Sequence, residues 1–72
     1  MREIKINTPT IKLDQFLKWA NVAVTGGEAK ELIQSGRVSV NGRVETRRAH
    51  TIKPGDLISV TGQIELVVGS WS

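Results

Sequence analysis

Hydrophobic spacing switches at Gly36 from a helical period to alternation, and that switch limits the fold more than any other feature. Before it, Leu13, Phe16, Leu17 and Ala20 recur at i, i+3, i+4 and i+7. Such spacing lays one apolar stripe along a helix, expected from Ile11 to about Asn21 with Thr10 as its N-cap. A second helix is expected from near Thr25. Thr25 and Glu28 have the spacing of a capping box, and Ala29, Leu32 and Ile33 form an apolar side. Gly36 stands where a left-handed residue closes a helix. This helix is short and opens on Gly26-Gly27, so it must be held by packing on the first.

After Gly36 the period becomes two. Val38 and Val40 alternate with Arg37 and Ser39, Asn41-Gly42 is a two-residue hairpin signal, and Arg43 to Thr46 is the return strand. Pro54-Gly55-Asp56 marks a further turn before a strand at Leu57–Val60, and Gln63 to Val68 reads as the last strand. At the other end, residues 3–6 alternate as a short strand that Asn7-Thr8-Pro9 breaks. The expected fold is α+β: two helices packed on one small curved, mostly antiparallel sheet. Residues 1–72 read as one domain, without internal repeat, linker or low-complexity segment.

A chain of 72 residues supports one core and leaves too little for a deep catalytic cleft. With 39% hydrophobic residues it is a folding sequence rather than a disordered tail. The absence of cysteine excludes disulfides and thiolate zinc sites, and the lone His50 cannot make a metal cluster. His50 lies in the basic run Arg47-Arg48-Ala49-His50, the seven carboxylates are scattered, and no phosphate-loop or dinucleotide glycine pattern occurs. The expectation is a non-enzyme with no catalytic residue, metal, cofactor or small-molecule substrate. No apolar run approaches the roughly 20 residues that span a bilayer, and nothing after Met1 resembles a signal peptide. The expected location is therefore the cytoplasm, with no membrane partner.

Charge is where function shows. The net charge is +3, but residues 30–53 alone carry +4 (Lys30, Arg37, Arg43, Arg47, Arg48 and Lys53 against Glu31 and Glu45). The remainder is slightly acidic, so the basic residues form a face rather than a uniform coat. Gly26 and Gly27 open the second helix, where free N–H groups and the helix dipole favour an anion and glycine permits close approach. Lys30 follows Gly27 at i+3, Gln34 follows Lys30 at i+4, Arg37 lies just past the helix end, and Lys12 starts the first helix. The spacing predicts a phosphate track through Lys12, Gly26, Gly27, Lys30 and Arg37.

Four segments together make the sequence recognisable: Lys12-Leu13-Asp14, Gly27-Glu28-Ala29-Lys30 with Leu32-Ile33, Gly36 through Gly42, and Lys53-Pro54-Gly55-Asp56. They resemble the S-four RNA-binding domain over residues 11–60. The Gly26–Lys30 run and Glu45-Thr46-Arg47-Arg48 look most like its stand-alone bacterial members, the YaaA- or YbcJ-like proteins. The resemblance implies an alpha-L-type motif, in which RNA lies against the two helices and the start of the hairpin. Carried over by position, Lys12, Lys30, Arg37, Asn41 and Arg43 would contact RNA. Two positions depart from the family pattern, since Lys12 and Gly26 stand where many members have arginine. Arg47 and Arg48 are the expected compensation. The implied partner is structured RNA, ribosomal or tRNA-like, or a ribosomal particle, met by a monomer.

Plainer roles apply to some of these residues. Asn41-Gly42 is also a turn, Gly36 a helix cap, and Arg2, Lys5 and Lys18 ordinary solvated charges. Were Arg47 and Arg48 on a strand, they would point to opposite faces and only one would join a given surface. Trp19 lies off the apolar stripe, where it either stacks on a base or, the preferred reading, covers the edge of the core. The main rival to RNA binding is a protein adaptor using the basic face or the Gln63–Val68 strand as an open edge. Non-specific DNA binding ranks lower, because no helix offers base-reading side chains.

Overall fold

A computed structural model of the chain describes residues 2–62 and 64–71. In chain order the elements are β1 (Arg2–Ile6), β2 (Ile11–Lys12), α1 (Leu13–Trp19), α2 (Gly26–Gln34), β3 (Val38–Val40), β4 (Arg43–Val44), β5 (Thr51–Ile52), β6 (Leu57–Val60) and β7 (Ile64–Ser70). Five strands form one sheet in the order β1-β7-β6-β3-β4, and β2 pairs with β5 in a separate two-stranded ribbon. The fold is α+β, and the large sheet is antiparallel except where β1 runs parallel to β7, with Arg2 opposite Leu66 and Ile6 opposite Ser70.

Every residue of the two predicted helical stripes is buried, and Val38, Val40, Ile58, Val60, Leu66 and Val68 meet them from the sheet. Both helices close with a Schellman motif. In α1, Asn21 takes φ 64° while Val22 N–H donates to Leu17 O at 2.9 Å and Asn21 N–H to Lys18 O at 3.0 Å. In α2, Gly36 takes φ 81°, with Arg37 N–H on Leu32 O and Gly36 N–H on Ile33 O. Asn41 and Gly42 both have positive φ, as a type I′ hairpin requires.

Four expectations need correction. The first helix begins at Leu13, two residues later than the expected start at Ile11, and Thr10 is not its cap. Ile11 and Lys12 are instead extended against Ile52 and Thr51. Lys12 occupies the N-cap position without a side-chain bond, and the carbonyls of His50 and Arg48 accept from Leu13 N–H (2.8 Å) and Asp14 N–H (3.1 Å). The hairpin's return strand stops at Val44 rather than Thr46, because Glu45 turns the chain away after its N–H reaches Val38 O at 2.9 Å. The last strand extends to Ser70; its expected first residue, Gln63, lies outside the described residues. It is also not an edge. β7 sits between β1 and β6, so the strand-addition surface expected there does not exist, and the edges of the large sheet are β1 and β4.

Trp19 is tied to the edge strand β1 rather than packed among the core residues. Its Nε1–H donates to Lys5 O at 2.7 Å, capping a carbonyl of edge strand β1, and the ring remains 49% exposed. Among the described residues no helix is long and apolar enough to cross a membrane.

Candidate nucleic-acid interface

At the start of α2, Thr25 Oγ1 accepts the Glu28 N–H at 3.1 Å, fixing the first turn. Gly26 has nothing within 4 Å of where a side chain would begin, and Gly27 meets only the Thr25 hydroxyl at 3.9 Å. The helix therefore opens onto solvent with N–H groups available to an anion. Lys30 and Gln34 are exposed one turn apart on the Gly27 side.

Arg37 lies elsewhere. Its backbone is pinned between α2 and the end of β6, donating to Leu32 O and accepting from Thr61 N–H at 2.9 Å. With Glu28, Glu31, Leu32 and Ser35 it lines a shallow groove of about 200 Å³. At about 100° per residue, Lys30 projects roughly 160° away from Glu28 and Leu32 around the helix. The phosphate track predicted as one line is thus divided into two flanks, Lys30 with Gln34 on one and Arg37 in the groove it shares with Glu28 and Glu31 on the other.

The segment between β4 and β5 supplies cations to the start of α1. Because Arg48 and His50 carbonyls cap that helix, the loop is held against the residues that follow Lys12, and Thr51 pairs directly with Lys12. Glu45 organises the loop. Its carboxylate accepts from Arg47 Nε and Arg47 N–H, both at 3.1 Å, and lies 3.4 Å from His50 Nδ1. Those bonds, the guanidinium's first, hold the Glu45 carboxyl below the usual glutamate range, and the same contact raises the Arg47 guanidinium. Arg47 and Arg48 therefore lie in a loop and are not distinguished by strand alternation. They differ in partners: Arg47 is paired, whereas Arg48 has no ion pair among the described residues. Sequence reading counted Glu45 and quoted it in the family-like run but did not foresee its pairing with Arg47, for which a spacing of two is the local signal.

Lys12, Lys30, Arg37 and Arg43 are likewise exposed and without an ion pair among the described residues. Lys53 is held by Asp56. The Asn41 side chain, predicted as an RNA contact, is used inside the protein. Its Nδ2 donates to Asp56 Oδ1 at 3.1 Å and its Oδ1 accepts from Leu57 N–H at 2.9 Å. Asp56 also accepts from Lys53 N–H and Lys53 Nζ. Burial pushes its carboxyl up, but these hydrogen bonds together outweigh burial and leave it below the ordinary aspartate value. The bonds tie the hairpin tip to the Lys53–Asp56 turn and set where Arg43 stands. No group of three or more potential metal ligands occurs among the described residues.

Two helices leading into a hairpin, with free cations along them, define a small α+β module with a basic surface. Residues 4–68 match the S4 domain, and the chain belongs to that family. It is 39% identical to the probable ribosome maturation protein RlbA of Bacillus subtilis, over 82% of this chain and 83% of that protein. It is 37% identical to the putative RNA-binding protein YbcJ of Escherichia coli, over 83% and 86%. The solution structure of YbcJ, described as revealing an αL motif involved in RNA-binding, superposes with a TM-score of 0.72 at 31% identity, covering 96% of this chain and 87% of that one.

Proposed function

We propose that the chain is a single, monomeric, non-catalytic domain of the cytoplasm that binds structured RNA, ribosomal RNA or a ribosome-assembly intermediate foremost. The observation that carries this reading is that five of the eight exposed Lys and Arg side chains without ion pairs among the described residues, Lys12, Lys30, Arg37, Arg43 and Arg48, fall on or beside the helix–helix–hairpin unit. They lie on the helices, the hairpin and the loop docked on α1. Unpaired surface cations are costly only in mutual repulsion, which a phosphate backbone relieves, and phosphate contacts supply most of the affinity in such complexes. Gly26, Gly27 and Gln34 line the open start and outer side of α2 and let a backbone approach there. Arg47 contributes less, because Glu45 already neutralises it. Asn41 acts as scaffold. The names of the relatives RlbA and YbcJ favour ribosome maturation as the setting.

The test is sedimentation of tagged protein from a bacterial lysate through a sucrose gradient at low and high salt, beside Lys30→Glu/Arg37→Glu. Wild type should travel with ribosomal particles, leave them at high salt, and lose them in the double variant. Wild type that stays at the top of the gradient at low salt refutes the ribosomal target. Salt-resistant sedimentation, unaffected by the charge reversal, would instead favour a protein adaptor.

A further inference from the structure

A concavity among the described residues lies outside the basic face. It has a volume of about 360 Å³ and is lined by Ile6, Asn7, Thr8, Pro9, Ser70 and Trp71, where the chain leaves β1 and where β7 ends. That volume is at the lower end of what small ligands occupy. Trp71 is fixed through its backbone, whose N–H donates to Ile6 O at 3.3 Å, yet its side chain is 65% exposed. Trp19 offers a contrast: its indole N–H is committed to the Lys5 carbonyl, whereas the Trp71 indole N–H and the Asn7 amide have no partner among the described residues. A bare indole face beside an unengaged carboxamide is the combination that holds an unpaired base, by stacking on the ring and by hydrogen bonds to the base edge.

Connectivity sets the pocket close to the charged residues. Pro9 is three residues before Lys12, a separation of at most about 11 Å even for fully extended chain. Lys12 pairs with Thr51, in the same segment that carries Arg48. A phosphate on Lys12 is therefore within about two nucleotide spacings of the pocket's Pro9 side.

We infer that this pocket is a second RNA subsite, which receives one unpaired nucleobase stacked on Trp71 and contacted at its edge by Asn7. The inference rests on the RNA-binding reading above and deepens it: the preferred ligand is a helical RNA interrupted by a bulged or looped-out nucleotide. The occupant is a base rather than a lipid or peptide because free cations flank the pocket's first strand exit in the chain, Lys5 next to Ile6 and Lys12 three residues after Pro9, and Lys12 is proposed to hold a phosphate.

The experiment measures affinity for two RNA hairpins, one fully paired and one with a single-nucleotide bulge made with each of the four bases. Wild type, Trp71→Ala, Trp71→Phe, Asn7→Ala and Lys30→Glu/Arg48→Glu are compared. Wild type should prefer a bulged hairpin by about tenfold. Trp71→Ala should lose that preference while keeping its affinity for the paired hairpin, Trp71→Phe should retain most of it, and Asn7→Ala should flatten the differences among the four bases. Equal affinity of wild type for paired and bulged hairpins, or a preference that survives Trp71→Ala, overturns the inference and leaves the basic face standing. Failure of wild type to bind either hairpin removes the RNA reading itself, and the subsite with it.

Discussion

Replacing Asp56 by asparagine should remove about 2 kcal/mol of stability at neutral pH. Asp56 is buried, its side chain only 10% exposed, and its carboxylate accepts from Lys53 N–H at 3.0 Å, Asn41 Nδ2 at 3.1 Å and Lys53 Nζ at 3.3 Å. The ammonium contributes little, since the Lys53 side chain is largely in solvent. Asparagine keeps one acceptor oxygen and turns the other position into a donor, so either Lys53 N–H or the Asn41 amide then faces an N–H group. One charge-assisted hydrogen bond in a part-buried site is worth roughly 1.5–3 kcal/mol, and domains of this kind have only about 5–15 kcal/mol in total. A loss of about 2 kcal/mol lowers the Tm of a domain this size by roughly 8–16 °C.

Proton linkage gives a second handle on the same residue. The folded-state pKa of Asp56 lies below its ordinary value of 3.8, so on acidification the unfolded chain takes up the proton first. The stabilisation is complete above that ordinary value and is lost as pH falls through the folded pKa. Urea unfolding of both proteins from pH 7 to pH 2.5 should show the gap between wild type and Asp56→Asn closing towards the acid end. A variant as stable as wild type at pH 7, or a gap that stays constant or widens on acidification, would refute the account of the hairpin latch.

Gly36→Ala should cost about 1–2 kcal/mol in thermal or urea unfolding, entirely from the left-handed backbone, because the new methyl meets Val44 Cγ1 at an ordinary 3.9 Å. Gly26→Arg should fold with stability changed by less than about 1 kcal/mol, since the position is open, while steepening the salt dependence of RNA binding by about 0.8 unit. Arg48→Ala should weaken RNA binding several-fold more than Arg47→Ala in a filter or anisotropy titration, because only Arg47 is neutralised within the protein. Equal losses would remove the distinction drawn from Glu45.

The two helices and the β3–β4 hairpin were legible in the sequence because their signals are local. Leu13 to Ala20 repeats within two turns, and Asn41-Gly42 dictates its own backbone. The parallel pairing of β1 with β7 was not, since Ile4 and Ile6 alternate in the same way whichever strand lies alongside and whichever way it runs. β2 and β5 are two residues each, too short for any period to appear, yet their pairing moves the start of α1 and leaves Thr10 outside it. At the candidate site, charge and spacing identified the free cations. They could not tell that Asn41 spends its amide on Asp56, that Glu45 takes Arg47, or that Arg37 settles beside Glu28 and Glu31 rather than in line with Lys30. Those assignments depend on contacts across loops and on helix rotation, which spacing along the chain does not contain.

The central claim is that free cations on the helix–hairpin face grip RNA phosphates, and its most direct test is the salt dependence of binding to a structured ribosomal RNA fragment. Five phosphate contacts predict that log affinity falls with log salt at a slope of about −4, and that Lys30→Ala/Arg48→Ala makes the slope shallower by about 1.5. A slope near zero, or one that the double variant leaves unchanged, would contradict the account.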